Sequence, residues 1–121
     1  MRRLALPIGL ALGVLALCSI PGVALPRVRL LSADKLAHIV MFAVIGWVWL
    51  RAFPDRFWTV CFAGAAFAVF TEVWQDRLPI GRTGDPADAA ADIIGLAMAA
   101  AVWAFVRRRT SSAPVASSSS R

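Results

Sequence analysis

Two cysteines, one histidine and seven acidic residues are all that this 121-residue chain offers of the groups that most often carry chemistry. It has no His-Glu-x-x-His motif, no serine nucleophile motif and no glycine loop that would cradle a phosphate, so the short signatures of zinc proteases, serine hydrolases and P-loop enzymes are excluded. Polar sequence is scarce too: 60% of the residues are apolar and the mean hydropathy is +0.71, against about 45–50% apolar in soluble domains. If one bilayer crossing takes about 20 residues, four crossings take about 80 and leave about 40 for every loop and tail. No separate soluble catalytic domain fits. Thirteen Lys and Arg against seven Asp and Glu give a net charge of +6, but the charges fall between apolar runs. They read as membrane topology rather than as a nucleic-acid surface, and no nucleic-acid partner is expected.

The cysteines set no crosslink. Cys18 lies late in the first apolar run and Cys61 early in the third. If both runs cross in the same direction, the two sulfurs differ in depth by about 15 Å at 1.5 Å per residue, beyond the roughly 7 Å between Cα atoms that a disulfide spans. Both are expected to be small apolar packing residues.

Four apolar runs follow one another. Behind Arg2 and Arg3, residues 4–23 carry no charge. That run exceeds a typical signal-peptide apolar region and is expected to be a retained helix. The second helix is expected at 34–53, with Arg51 snorkelling from its end. A tight turn, Pro54-Asp55-Arg56, leads to a third at 57–75. Residues 76–86 contain Pro79, Gly81, Gly84 and Pro86 and read as an irregular loop. Asp85 as N-cap and Pro86 as first helical residue open a fourth helix at 86–106, which ends at Arg107, Arg108 and Arg109. The expected architecture is an all-α membrane bundle, residues 1–109, followed by a disordered Ser-rich tail, 110–121. Lys and Arg gather at the two ends and the 54–56 turn, so both termini are expected in the cytoplasm. Trp47, Trp49, Trp58 and Trp103 would then lie near one interface and Trp74 near the other.

Overlaying this topology on the ionisable residues inside the helices gives the candidate site. His38 near the start of helix two, Glu72 near the end of helix three and Asp92 near the start of helix four share one depth. Asp34, Lys35, Gln75, Arg82 and Asp88 join them, forming a polar layer toward the external face. Asp34 and His38, Glu72 and Gln75, and Asp88 and Asp92 are spaced to share a helix face. Gly95 and Ala99 continue the last of these faces as a small-xxx-small pattern, and helix three offers Gly64, Ala65 and Ala68, so close packing would turn the acids inward. They must turn inward, because a charge facing hydrocarbon costs about 3 kcal/mol or more. Structural roles compete at each position: Asp88 also suits a helix N-terminus, Glu72 and Arg82 also suit an ion pair, and His38 suits a buried hydrogen bond.

Asp34-Lys35-x-x-His38-x-x-x-Phe42, Glu72-x-x-Gln75 and Arg82-x-Gly84-x-x-Asp88-x-x-x-Asp92-x-x-Gly95 together resemble the VanZ-like family of small bacterial membrane proteins. The resemblance covers about residues 34–99 and preserves order and spacing. It implies a multi-helix membrane core, residence in the bacterial cytoplasmic membrane and an association with glycopeptide (teicoplanin-type) resistance; it implies no established reaction. Asp92 stands where the family usually shows Asn, Ala99 where a second Gly is common, and Asp85 where Ser is usual.

Three functions compete. The first is a non-enzymatic envelope protein whose layer binds a lipid headgroup, a cell-wall precursor or a glycopeptide-like compound, with Arg82 and Lys35 meeting phosphate or carboxylate. The second is a small hydrolase or transferase acting on a lipid-linked substrate, with Glu72 or Asp92 as base and His38 as acid or orienting partner. The third is a proton-coupled transporter subunit, which would need an oligomer because four helices enclose only a narrow path. The first is favoured. No cofactor and no metal are expected, since His38, Glu72 and Asp92 come from three helices with no ligand spacing to connect them.

Overall fold

The computed structural model describes residues 2–20, 33–79 and 84–111. Four helices account for nearly all of them: α1 Arg2–Cys18, α2 Ala33–Ala52, α3 Phe57–Arg77 and α4 Pro86–Ser111. Among the described residues there is no strand. The fold is all-α, as the sequence predicts. Three helices, Ala33–Ala52, Phe57–Arg77 and Pro86–Thr110, are long and apolar enough to cross a membrane. The shorter α1, 17 residues, spans about 26 Å at 1.5 Å per residue.

Helix ends differ from the sequence expectation for local reasons. Ser19 turns its hydroxyl back onto the Leu15 carbonyl at 2.7 Å as α1 closes. Pro21, which has no N–H to donate, follows two residues later, and the last part of the expected first helix, 21–23, lies outside the described residues. At the other extreme, α4 runs past 106 to Ser111. Thr110 Oγ1 donates to the Val106 or Arg107 carbonyl, and Arg108 and Arg109 place positive charge at the negative end of the helix dipole. The expected tail beyond residue 111 lies outside the described residues.

Consecutive helices alternate in direction. The Pro54 carbonyl of the α2–α3 turn accepts from Arg107 near the end of α4, while Trp74 near the end of α3 donates to Ser19 at the end of α1, 3.0 Å away. The α2–α4 pair is the most extensive interface; α3 packs chiefly on α4 and α1 chiefly on α2. Small residues set that hierarchy. A Cβ at Gly95 would collide with the Ile39 carbonyl and the Ala43 backbone nitrogen, and one at Gly46 would lie 2.8 Å from Leu96 Cδ1 and 3.1 Å from Ala99 Cβ. Backbones therefore approach closely where the small-xxx-small face of α4 meets α2.

A modest core of Val14, Cys18, Phe42, Ile45 and Ala68 is completed by Leu10, Met41, Trp49 and Phe67. Neither Cys18, buried, nor Cys61, half-buried, forms a disulfide. Large apolar side chains face outward instead, Phe62 at 72% and Trp58 at 70% exposure. In water such a surface would be an aggregation hazard; in a bilayer it is the solvated face. Trp47 and Trp103 meet edge to face at one end of the bundle, with ring centroids 5.6 Å apart.

Candidate functional site

The antiparallel arrangement brings the start of α2, the end of α3 and the start of α4 to one end of the bundle, and their polar residues meet there. His38 is 6% exposed, Glu72 8% and Asp92 not at all. One ligand-capable atom from each, an imidazole nitrogen and two carboxylate oxygens, lies within 4.8 Å of the others. The shared depth inferred from the sequence has become side-chain proximity.

Three links hold the cluster. His38 Nδ1 lies 2.9 Å from Asp92 Oδ1, joining α2 to α4 one turn from Gly95, where the two backbones are closest. Glu72 Oε2 accepts the Asp85 backbone N–H at 2.8 Å, joining α3 to the first residue before α4. Gly84 permits that junction, because a Cβ there would sit 2.8 Å from the Glu72 carbonyl oxygen. Asp85 in turn caps α4: its Oδ1 accepts the Ala87 N–H at 2.9 Å, satisfying one of the otherwise unpaired donors of the first turn.

Lys35 forms the outer link. Its Nζ donates to Asp88 Oδ1 at 2.7 Å and to Asp85 Oδ2 at 3.1 Å, tying α2 to the N-terminus of α4. The sequence suggests a ligand phosphate or carboxylate for Lys35; the structure engages it with two carboxylates of its own chain. Asp34 is half-buried, and its carboxylate lies within 4.8 Å of ligand-capable atoms of His38 and Asp88. Gln75 is buried one turn beyond Glu72. Arg82 lies outside the described residues, and with it the proposed Glu72–Arg82 ion pair. Among the described residues, this end of the bundle gathers the acids Asp34, Glu72, Asp76, Asp85, Asp88 and Asp92 with Lys35 and Arg77.

Several buried polar atoms have no hydrogen-bond partner among the described residues: Glu72 Oε1, Asp92 Oδ2 and Gln75 Nε2. Buried polar atoms are nearly always paired, and each exception asks for a strain, a ligand or a catalytic role. The orphans all belong to the layer except Trp103 Nε1, which lies toward the other end of α4. There, an apolar cavity of about 360 Å³ opens between the helices, lined by Ile45, Trp49, Phe67 and Leu96 with Arg56 and Thr59 at its polar edge.

Sequence reasoning placed Asp85 only as a cap. The structure gives it two further tasks, holding Glu72 through its backbone and Lys35 through its side chain. The Asp-Pro helix start was the available signal; what it could not carry was the identity of the neighbours.

A family model described as VanZ-LLP1: VanZ/LLP1 matches residues 8–107. Neither the curated proteins nor the solved structures compared with the chain give a match.

Proposed function

The chain belongs to the VanZ/LLP1 family and is a VanZ-like membrane protein, and on that premise we propose that its acidic end binds the polar part of an envelope compound, in the bacterial cytoplasmic membrane with both termini cytoplasmic. The compound is a lipid headgroup, a cell-wall precursor or a glycopeptide-like molecule, and the biological consequence is altered susceptibility to glycopeptides of the teicoplanin type. The observation that carries this reading is a pair of buried carboxylate oxygens, Glu72 Oε1 and Asp92 Oδ2, that have no hydrogen-bond partner among the described residues. A network that only glued helices together gains nothing from two extra buried carboxylate oxygens, each of which costs desolvation.

The His38–Asp92 contact favours a second reading, a small hydrolase or transferase. A carboxylate at 2.9 Å from Nδ1 fixes the imidazole orientation and tautomer, leaving the other ring nitrogen to exchange a proton with a substrate.

Glu72→Gln tests the first reading. Gln retains an acceptor for the Asp85 N–H, so membrane abundance stays normal, while retained envelope compound, identified by mass spectrometry of the purified protein, and the glycopeptide phenotype are lost. Normal abundance with unchanged bound compound and unchanged susceptibility would make the layer structural.

A further inference from the structure

We infer that His38, Glu72 and Asp92 form a binding site for one divalent transition-metal cation of the Zn²⁺ or Mn²⁺ type. The donor set is one imidazole nitrogen and two carboxylates, each from a different helix, all buried, with their ligand atoms already within 4.8 Å. Imidazole suits zinc and its first-row neighbours, and carboxylate suits manganese equally, so the set selects this class over an alkali ion. Two ligands about 2.1 Å from an ion are about 3.0 Å apart at the right angle of an octahedral site and about 3.4 Å apart at the tetrahedral angle zinc prefers. His38 Nδ1 and Asp92 Oδ1 are separated by 2.9 Å. A cation entering there displaces the proton between them to solvent, as metal binding at histidine and acid sites generally does.

Charge balance points the same way. When ionised, Glu72 and Asp92 carry two negative charges; among the described residues the nearby lysine is committed to Asp85 and Asp88, which leaves His38, in contact with Asp92, as their cationic neighbour. One divalent cation neutralises Glu72 and Asp92 and, held by both oxygens of Asp92 and by Glu72 Oε1, supplies the partner that Glu72 Oε1 and Asp92 Oδ2 lack among the described residues. Asp92 is the residue that makes the site complete. A neutral amide in place of Asp92 would supply no second charge. Three protein ligands leave coordination positions open, which distinguishes it from a closed structural site. An acidic layer holding such an ion could take a phosphate or carboxylate oxygen of an envelope compound; only this last step rests on the function proposed above.

The test uses the full chain purified in detergent or nanodiscs, stripped with chelator and titrated with Zn²⁺ or Mn²⁺ alone, with bound metal measured after dialysis. One equivalent per chain is expected, together with a rise in melting temperature and, on substitution with Co²⁺, visible absorption bands from nitrogen and oxygen ligands. His38→Gln, Glu72→Gln and Asp92→Asn each weaken binding by about 100-fold. Cys18→Ala/Cys61→Ala binds as the parent does. Less than a tenth of an equivalent in the parent chain at 1 mM of either metal overturns the inference, whatever the variants do. Loss of binding in Asp34→Asn with retention in Glu72→Gln also overturns it, by moving the ion to the Asp34, His38 and Asp88 group. Stoichiometric metal without any retained envelope compound would support the cation site and count against the ligand-binding function alone.

Discussion

Gly95→Ala and Gly13→Ala are the same chemical change on two helices and should have opposite effects. At Gly13 an added Cβ meets nothing within 4 Å, whereas at Gly95 it overlaps the Ile39 carbonyl and crowds Ala43 N, all backbone atoms that cannot rotate away. Relief requires α4 to retreat from α2 until carbon and oxygen reach an ordinary contact of about 3.3 Å. Overpacking of this kind costs about 1–3 kcal/mol, and a backbone obstacle belongs at the upper end. Retreat by about 1 Å also takes the 2.9 Å His38–Asp92 contact beyond hydrogen-bond range, a loss of about 0.6 kcal/mol by the average for interhelical bonds in membranes. Replacing Gly by Ala returns up to about 1 kcal/mol of helix propensity. The net expectation is destabilisation of about 2–3 kcal/mol for Gly95→Ala and stabilisation of up to about 1 kcal/mol for Gly13→Ala. Gly64→Ala falls between, since the obstacle there is the flexible end of Leu96 at 2.8 Å. Unfolding of the purified proteins by denaturing detergent measures all three. Equal stabilities for Gly95→Ala and Gly13→Ala would refute the close α2–α4 approach and, with it, the basis for placing Asp92 on His38.

A reporter active only outside the cytoplasm should work when fused after Pro79 and be silent when fused after Pro54; the reverse pattern would put the polar layer on the cytoplasmic face. Replacing Cys18 and Cys61 together by Ala should cost about 1 kcal/mol or less in unfolding experiments, and a redox-dependent change in gel mobility of the parent chain would contradict the absence of a disulfide. Asp92→Asn should leave the metal-free chain equally stable or up to about 1 kcal/mol more stable, because a neutral amide costs less than a carboxylate in the membrane interior, yet abolish the rise in melting temperature on adding Zn²⁺. Destabilisation of the metal-free chain by Asp92→Asn would show that the charge itself holds the helices together.

Helix number and type were legible because apolar runs alternate with prolines and arginines, and the polar layer was legible because alternating helices put His38, Glu72 and Asp92 at one depth. The rotation of each helix about its axis was not. α2, α3 and α4 are apolar on most sides, so no hydrophobic face tells which side meets which neighbour. That rotation is set by the Gly95 contact with Ile39 and Ala43, by Gly46 against Leu96 and by Gly84 under Glu72. It decides that Lys35 reaches Asp88 and Asp85 rather than an open surface, and that Glu72 finds the Asp85 backbone. Individual pairings of this kind depend on tenths of a nanometre that periodicity does not encode.

The placement of the charges relative to the tightest packing is informative about purpose. His38 adjoins Ile39 and Asp92 lies one turn before Gly95, so the most costly polar pair sits beside the point where α2 and α4 are least able to separate. Asn at position 92 would keep an acceptor for His38 and avoid a buried charge worth about 3 kcal/mol or more in this setting. Stability alone therefore favours the amide. A carboxylate held there by a rigid seam, with one oxygen on His38 and the other without a hydrogen-bond partner among the described residues, gives up stability for an ionisable group kept at a fixed place. On the proposed function a bound ligand meets that charge, and Glu72, which reaches the same point from α3, offers it a second acid.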